Sequence, residues 1–357
     1  MNGQFDLRSI RTKADKDPAN YVLDNEALKT AIQLAIWLGK PLLLTGAPGT
    51  GKTQLAYKVA YMLAQVADDT TAPFLDIPFV FNTKTTSTAT DLFYYYDAVR
   101  HFQQRHVYDQ PNNGMSGLAH PFIRLNALGK AILQAHGKEA ILNDDSLKDL
   151  ALLADFNELK NKPRSSVVLI DEIDKAPRDF PNDLLNEIEN FEFFITELMN
   201  KKVSRPQAKA QVVVFMTSNF EKNLPDAFLR RCLFYHIPSP TAAELGNIAA
   251  SRIKPYIEEL YGFKTAVEIE NMWTTINENM QNSINEFGKI KDMLKNKKPA
   301  TAELLDWIKA LEQQKFFQGK VDFSALDAEK KKILRNAATA IAKSNDDIDT
   351  LIKYYAG

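Results

Sequence analysis

The chain has 357 residues, 45% of them hydrophobic and 25% charged, the composition of a globular protein long enough for two domains with a sizeable core. Its net charge of −1 excludes a global field that would steer it toward nucleic acid or an anionic membrane, and leaves only local basic patches for such roles. One cysteine, Cys232, excludes an internal disulfide and fits a reducing compartment.

The opening "MNGQFDLRSIRTKADKD" lacks a basic start followed by an apolar core. No apolar run approaches the roughly 20 residues that a bilayer span needs, so a cytoplasmic protein is expected. "LKTAIQLAIWLG" has helical spacing and stops at Gly39. "PLLLTG" reads as a buried strand, and helical "TQLAYKVAYMLAQVA" follows a glycine turn. "FLDIPFVFN", "SSVVLIDEID", "QVVVFMTSN" and "CLFYHIP" are further apolar runs of strand length. Separated by helices, they predict a parallel sheet covered on both faces.

Two segments interrupt this alternation. One spans about residues 83–164 and holds the aromatic cluster "DLFYYYDAVRHF", a turn-rich stretch "YDQPNNGMSG" and helical "LNALGKAILQA". The other spans about residues 191–211, where "FEFFITEL" and the stretch after "NKKVSRPQ" look like the arms of a hairpin. After "IPSPT" the pattern is helical with no convincing strand, which puts a domain boundary near Pro238 and divides the chain into 1–238 and 239–357.

"GAPGTGKT" fits the pattern G-x-x-x-x-G-K-[ST]. Gly46, Gly49 and Gly51 let backbone N–H groups converge on phosphate oxygens, with Ala47, Pro48 and Thr50 between them. The helix that starts near Gly51 and runs through Gln54 adds the positive end of its dipole. Lys52 is suited to the β- and γ-phosphates and the Thr53 hydroxyl to Mg²⁺. "VVLIDE" ends a strand with Asp171, placed to hold the Mg²⁺ shell, and Glu172, placed to orient or deprotonate a water. That added glutamate favours hydrolysis over transfer to an acceptor. "FMTSN" ends in Asn219, whose amide is suited to place the attacking water or simply to cap the next turn. "LPDAFLRRC" carries Arg230 and Arg231, either of which is suited to neutralise charge on a transferring phosphoryl group, including that of a neighbouring subunit.

In this order, "GAPGTGKT", "VVLIDEIDKAP", "FMTSN" and "LPDAFLRR" resemble the Walker A, Walker B, sensor 1 and arginine-finger regions of an AAA+ ATPase, over roughly residues 20–240. Lys52 and Asp171 stand about 120 residues apart, wide for a bare P-loop core. The surplus resembles the helix-2 insert of the MoxR branch, and "FEFFITELMNKKVSRPQ" resembles its hairpin before sensor 1. The resemblance implies a three-layer αβα P-loop core with a five-stranded parallel sheet, an all-α lid and rings of usually six subunits. It further implies ATP and Mg²⁺ bound between subunits, and chaperone-like remodelling of a protein client beside a von Willebrand factor A domain protein. Carried over, Lys52 and Thr53 contact phosphate and Mg²⁺, Asp171 serves Mg²⁺, Glu172 the water, Asn219 is sensor 1, and Arg231 or Arg230 is the finger, with Arg231 preferred. The lid departs from the family pattern: Ala300 follows Pro299 where an arginine is usual, so Lys298 or Lys297 is the cationic substitute.

Three consecutive tyrosines, Tyr94 to Tyr96, cannot share one helical face, so at least one is expected at the surface and the others in packing. Lys201, Lys202, Arg205 and Lys209 on the hairpin read as a solvated loop or as a face toward a ring's pore. Asp174 and Lys175 are expected to shape the loop after the second motif, and Cys232 to be an inert core thiol. His101, His106, His120, His136 and His236 show no ligand spacing, so no structural zinc is expected. Two other readings stand beside the ring ATPase: a P-loop phosphotransferase, and an ATP-binding switch with weak hydrolysis. No N-K-x-D motif supports a GTPase, and the net charge gives a DNA-directed motor no support.

Overall fold

The computed structural model describes residues 17–66, 68–107, 118–206, 209–219, 224–262 and 265–356. The turn-rich stretch 108–117 and the side chain of His106 lie outside them. The chain divides into two compact units. One holds Asp24–Gly46 and Gly51–Ile237; the other, in its described part, holds residues 17–23, Ala47–Thr50 and residues 238–356.

The strands are β1 (Leu42–Thr45), β2 (Phe79–Asn82), β3 (Tyr94–Tyr96), β4 (Ile123–Leu125), β5 (Ser166–Asp171), β6 (Glu192–Ile195), β7 (Lys201–Ser204), β8 (Val212–Ser218) and β9 (Leu233–His236). The helices of the first unit are α1 (Glu26–Leu38), α2 (Lys52–Leu63), α3 (Ala98–Val107), α4 (Ala127–His136), α5 (Lys138–Asn143), α6 (Phe180–Asp183), α7 (Leu185–Asn190) and α8 (Asp226–Leu229). Five strands form one parallel sheet in the order β2-β5-β8-β1-β9. β1 and β8 are buried at every position, and β5 at all but its last. This explains their unbroken apolar runs: a parallel strand covered on both faces has no polar side. α2 and α4 both pack on β5, and α1 packs beside β9. The Asn25 side chain accepts from the Leu28 N–H to start α1, and Gly39 ends it in a left-handed conformation. The core of this unit joins Leu43, Val168, Ile170, Val214 and Met216 of the sheet to Leu128 and Ile132 of α4.

The tyrosine run is a strand and not a helix. β3 pairs antiparallel with β4, so successive side chains point to opposite faces. Tyr94 is buried and its hydroxyl accepts from the Thr196 N–H, Tyr95 is exposed, and the Tyr96 hydroxyl lies 2.6 Å from His101 Nδ1. The period is two, which leaves Tyr95 at the surface between two packed tyrosines, as expected of a run that cannot bury all three. β6 and β7 form an antiparallel pair, joined by a turn in which Met199 and Asn200 both take positive φ.

The C-terminal unit carries α9 (Ala242–Tyr261), α10 (Ala266–Met293), α11 (Thr301–Gln313), α12 (Ala328–Asn336), α13 (Ala338–Ile341) and α14 (Asn345–Tyr354), and no strand among its described residues. α9 and α10 each start in a capping box, Thr241 with Glu244 and Thr265 with Glu268, which satisfies helix-end N–H groups and fixes where each begins. Phe287, Trp307 and Phe316 anchor a core separate from that of the sheet. The protein is therefore an α/β P-loop core followed by an all-α lid. Among the described residues no helix is long and apolar enough to cross a membrane.

Candidate functional site

β1 ends at Thr45, and the chain turns through residues 46–51 into α2. Gly49 and Gly51 have φ of 78° and 86°, a region that L side chains rarely adopt. Within the turn the Thr50 hydroxyl donates to the Ala47 carbonyl at 2.9 Å. Gly51 is the N-cap of α2 and brings no side-chain acceptor, so the first-turn N–H groups and the positive dipole end form a site suited to an anion. Gln54 is half-buried on that first turn, and Ala47 and Pro48 are exposed. Lys52 is buried and its Nζ donates to the Gly46 carbonyl at 2.8 Å. Burial pushes its pKa down, against the opposing pull of the Asp171, Asp174 and Glu172 carboxylates.

Parallel pairing brings β5 beside β8, with Ile170 opposite Met216, so Asp171 arrives next to Thr217. The Thr217 hydroxyl donates to Asp171 Oδ1 at 2.6 Å, and the Thr53 hydroxyl donates to the two Asp171 oxygens at 3.0 and 3.1 Å. Glu172 follows with φ 55° and ψ 52°, a left-handed conformation that costs a non-glycine residue about 1–2 kcal/mol. Its N–H donates to the Thr217 hydroxyl at 2.8 Å. Its carboxylate pairs with Lys175, the last residue of a 3₁₀ turn at Ile173–Lys175. Asp174 is buried and accepts from the Asn219 N–H at 3.0 Å, which ties the segment after β5 to the end of β8.

One carboxylate and one hydroxyl, linked at about 3 Å, are the donors that Mg²⁺ takes from a protein when phosphate oxygens and water complete its shell. Among the described residues no three His, Cys, Asp or Glu side chains form a group able to hold a metal by themselves. The residues present thus fit a Mg²⁺–nucleotide rather than a protein-caged ion.

Lys52, Thr53, Asp171 and Glu172 lie around this hydrogen-bonded group, and Asn219 is joined to it through backbone. Arg230 and Arg231 follow α8 and are exposed; no hydrogen bond or ion pair among the described residues links either to Asp171 or Glu172. Arg231 pairs with Glu189 at 3.4 Å and donates to the Ala227 carbonyl at 3.3 Å, while Arg230 has no side-chain partner among the described residues. Lys297 and Lys298 are exposed ahead of α11, whose N-cap is Ala300. Cys232 is half-buried, and burial pushes its thiol up to about 12, far from a reactive thiolate. Thr217 was not singled out by the sequence reading; its only signal is a polar pair, Thr217 and Ser218, closing an otherwise apolar strand.

A family model described as AAA domain (dynein-related subfamily) matches residues 41–232, more than half of the chain. No curated protein matches it.

Proposed function

Since the chain belongs to the AAA domain family, dynein-related subfamily, we propose that it is a Mg²⁺-dependent ATPase that works as a ring and remodels a protein partner. One observation carries this reading: Thr53, Asp171, Thr217 and Glu172 form a continuous hydrogen-bonded chain beside Lys52 and the start of α2. In it Thr53 and Asp171 hold Mg²⁺, Lys52 and the α2 N–H groups hold phosphate oxygens, and Glu172 takes a proton from the attacking water. When bound, Mg²⁺ supplies charge neutralisation on the β- and γ-phosphate oxygens. Asn219 serves as the sensor that follows β8.

We assign the finger to Arg230. Both arginines are exposed; Arg230 has no side-chain partner among the described residues, whereas Arg231 pairs loosely with Glu189 and donates to the Ala227 carbonyl of its own subunit. The MoxR-like branch, a six-membered ring, a von Willebrand factor A domain client and Lys298 as the lid's cationic contact complete the reading. Domain limits of 1–238 and 239–357 belong to it as well. A second reading, an ATP-binding switch that hydrolyses slowly, draws on the ion pair that engages Glu172.

The test is phosphate release against protein concentration for the full chain, Glu172→Gln and Arg230→Ala, with particle size measured with and without ATP. Turnover per chain rises with concentration, Glu172→Gln loses it by about 100-fold or more while retaining ATP, and Arg230→Ala loses the concentration dependence. A chain that neither retains ATP nor releases phosphate overturns the proposal, as does a Glu172→Gln variant that turns over like the parent.

A further inference from the structure

At the amino ends of β5 and β8, the sheet edge away from Asp171 and Thr217, three stretches of chain enclose a cavity of about 390 Å³. A strand rises about 3.3 Å per residue, so the length of β5 sets this cavity roughly 20 Å from the candidate nucleotide site. Its walls are Ala72, Pro73, Pro163 and Ala210, and its charged residues are Lys162, Arg164 and Lys209. No lining residue carries a carboxylate. Hydrogen bonds fix the frame. Ser165 is fully buried; its hydroxyl donates to the Ala72 carbonyl at 2.6 Å and accepts from the Gln211 N–H at 2.9 Å, and its N–H donates to the Pro73 carbonyl at 3.0 Å. Gln134 of α4 pins the stretch 160–164 at both ends: its side chain accepts from the Lys160 N–H at 2.8 Å and its carbonyl from the Arg164 N–H at 3.1 Å. Gly137 permits the close approach of that stretch, since a Cβ there would stand 2.6 Å from the Lys162 carbonyl carbon.

Lys162 is exposed and Arg164 half-buried, and neither side chain has a hydrogen bond or ion pair among the described residues. Lys209 is exposed; its Nζ donates to the Asp69 carbonyl at 2.9 Å and it acts on the Asp68 carboxylate, which Thr70 already engages. Three like charges lining one cavity repel one another, and an anionic occupant relieves that. The prolines bring no N–H, so the walls between the cations are apolar. No aromatic side chain and no helix N-terminus lines the cavity, so it offers neither base stacking nor a phosphate cradle. Its volume is at the small end of ligand sites, which suits a side chain of an extended segment. We propose that this cavity docks an acidic peptide segment of a protein partner: an apolar side chain seats against Pro73 and Pro163, and flanking carboxylates meet the three cations. Arg164 can fork onto one carboxylate, while the lysines act as point charges. The proposal does not rest on the reading of the nucleotide site, and binding is measured without ATP.

The test is fluorescence anisotropy of labelled peptides with the full chain. The probe DDEFLEDD is compared with DDESSEDD, with KKRFLRKK and with a single-stranded oligothymidine. DDEFLEDD is expected to bind saturably and to weaken as salt rises. Loss of its apolar pair costs about fivefold or more. Lys162→Gln and Arg164→Gln each weaken it about two- to fivefold, the range of a solvent-facing ion pair. Lys162→Glu/Lys209→Glu loses DDEFLEDD and gains KKRFLRKK, a gain that only a folded variant shows. Absence of saturable binding up to roughly 1 mM probe overturns the proposal. DDESSEDD binding within twofold of DDEFLEDD also overturns it, because charge alone then accounts for the contact, as does unchanged binding in Lys162→Glu/Lys209→Glu. Oligothymidine that binds more tightly than DDEFLEDD and is weakened by the same substitutions makes this a nucleic-acid surface and overturns the peptide.

Discussion

Replacing Thr217 by valine isolates the hydroxyl that joins the two motif strands. Thr217 is 1% exposed and valine has nearly its shape, so the loss is chemical and not steric. The hydroxyl donates to the charged Asp171 at 2.6 Å and accepts from the Glu172 N–H at 2.8 Å. A hydrogen bond to a charged group is worth about 1.5–3 kcal/mol, and a buried N–H left unpaired costs about 1–3 kcal/mol. Both losses come from one atom and are not additive, so about 2–4 kcal/mol of stability is expected to disappear. Function falls as well, because Asp171 loses the partner that orients it; such losses cost about 10–100-fold in metal affinity. Thr217→Ser keeps the hydroxyl and is expected to cost only about 1 kcal/mol for the buried methyl. Urea unfolding of the full chain, followed by circular dichroism, measures the first effect, and the Mg²⁺ dependence of ATP turnover the second. A Thr217→Val variant within about 0.5 kcal/mol of Thr217→Ser, or one with an unchanged Mg²⁺ requirement, refutes the role of this hydroxyl.

Glu172→Gly relieves the left-handed backbone while deleting the carboxylate; it is expected to hold stability or raise it by up to about 1 kcal/mol and to abolish turnover, and a loss of stability beyond 1 kcal/mol argues against strain at this residue. Gly49→Ala places a side chain at a φ of 78° and is expected to weaken ATP binding by tenfold or more in a fluorescent-nucleotide titration, whereas affinity within twofold of the parent contradicts the cradle. In the C-terminal unit the Asp347 carboxyl is buried, which raises its pKa, but hydrogen bonds from Ser344 and the backbone of Lys295, Asn296 and Lys297 outweigh this and hold it below 3.8. A depressed folded-state pKa stabilises above the unfolded value and stops doing so as pH falls through the folded one. Asp347→Asn is therefore expected to lower the melting temperature at pH 7 and to match the parent well below pH 3.8, and a gap that persists in acid counts against this linkage.

What the chain made legible, and what it hid, follows from the range of each interaction. The five sheet strands are local apolar runs, and a strand buried on both faces announces itself without any partner being known. The phosphate turn is equally local, since its glycines, lysine and threonine are contiguous. That one of Tyr94 to Tyr96 reaches the surface was legible, but nothing within the run tells a strand from a helix; that decision lies with Ile123–Leu125, which the tyrosines pair with. Thr217 was invisible for a related reason. Its importance arises from a parallel register that sets it beside Asp171, 46 positions away in sequence.

Lys175 presents the opposite case. It is three residues from Glu172, near enough to be noticed, yet sequence alone assigns it to loop shaping. Its contact depends on Glu172 adopting a left-handed backbone, which depends on the Thr217 hydroxyl, which depends on β5 pairing with β8. A short-range pair is here the last consequence of a long-range one.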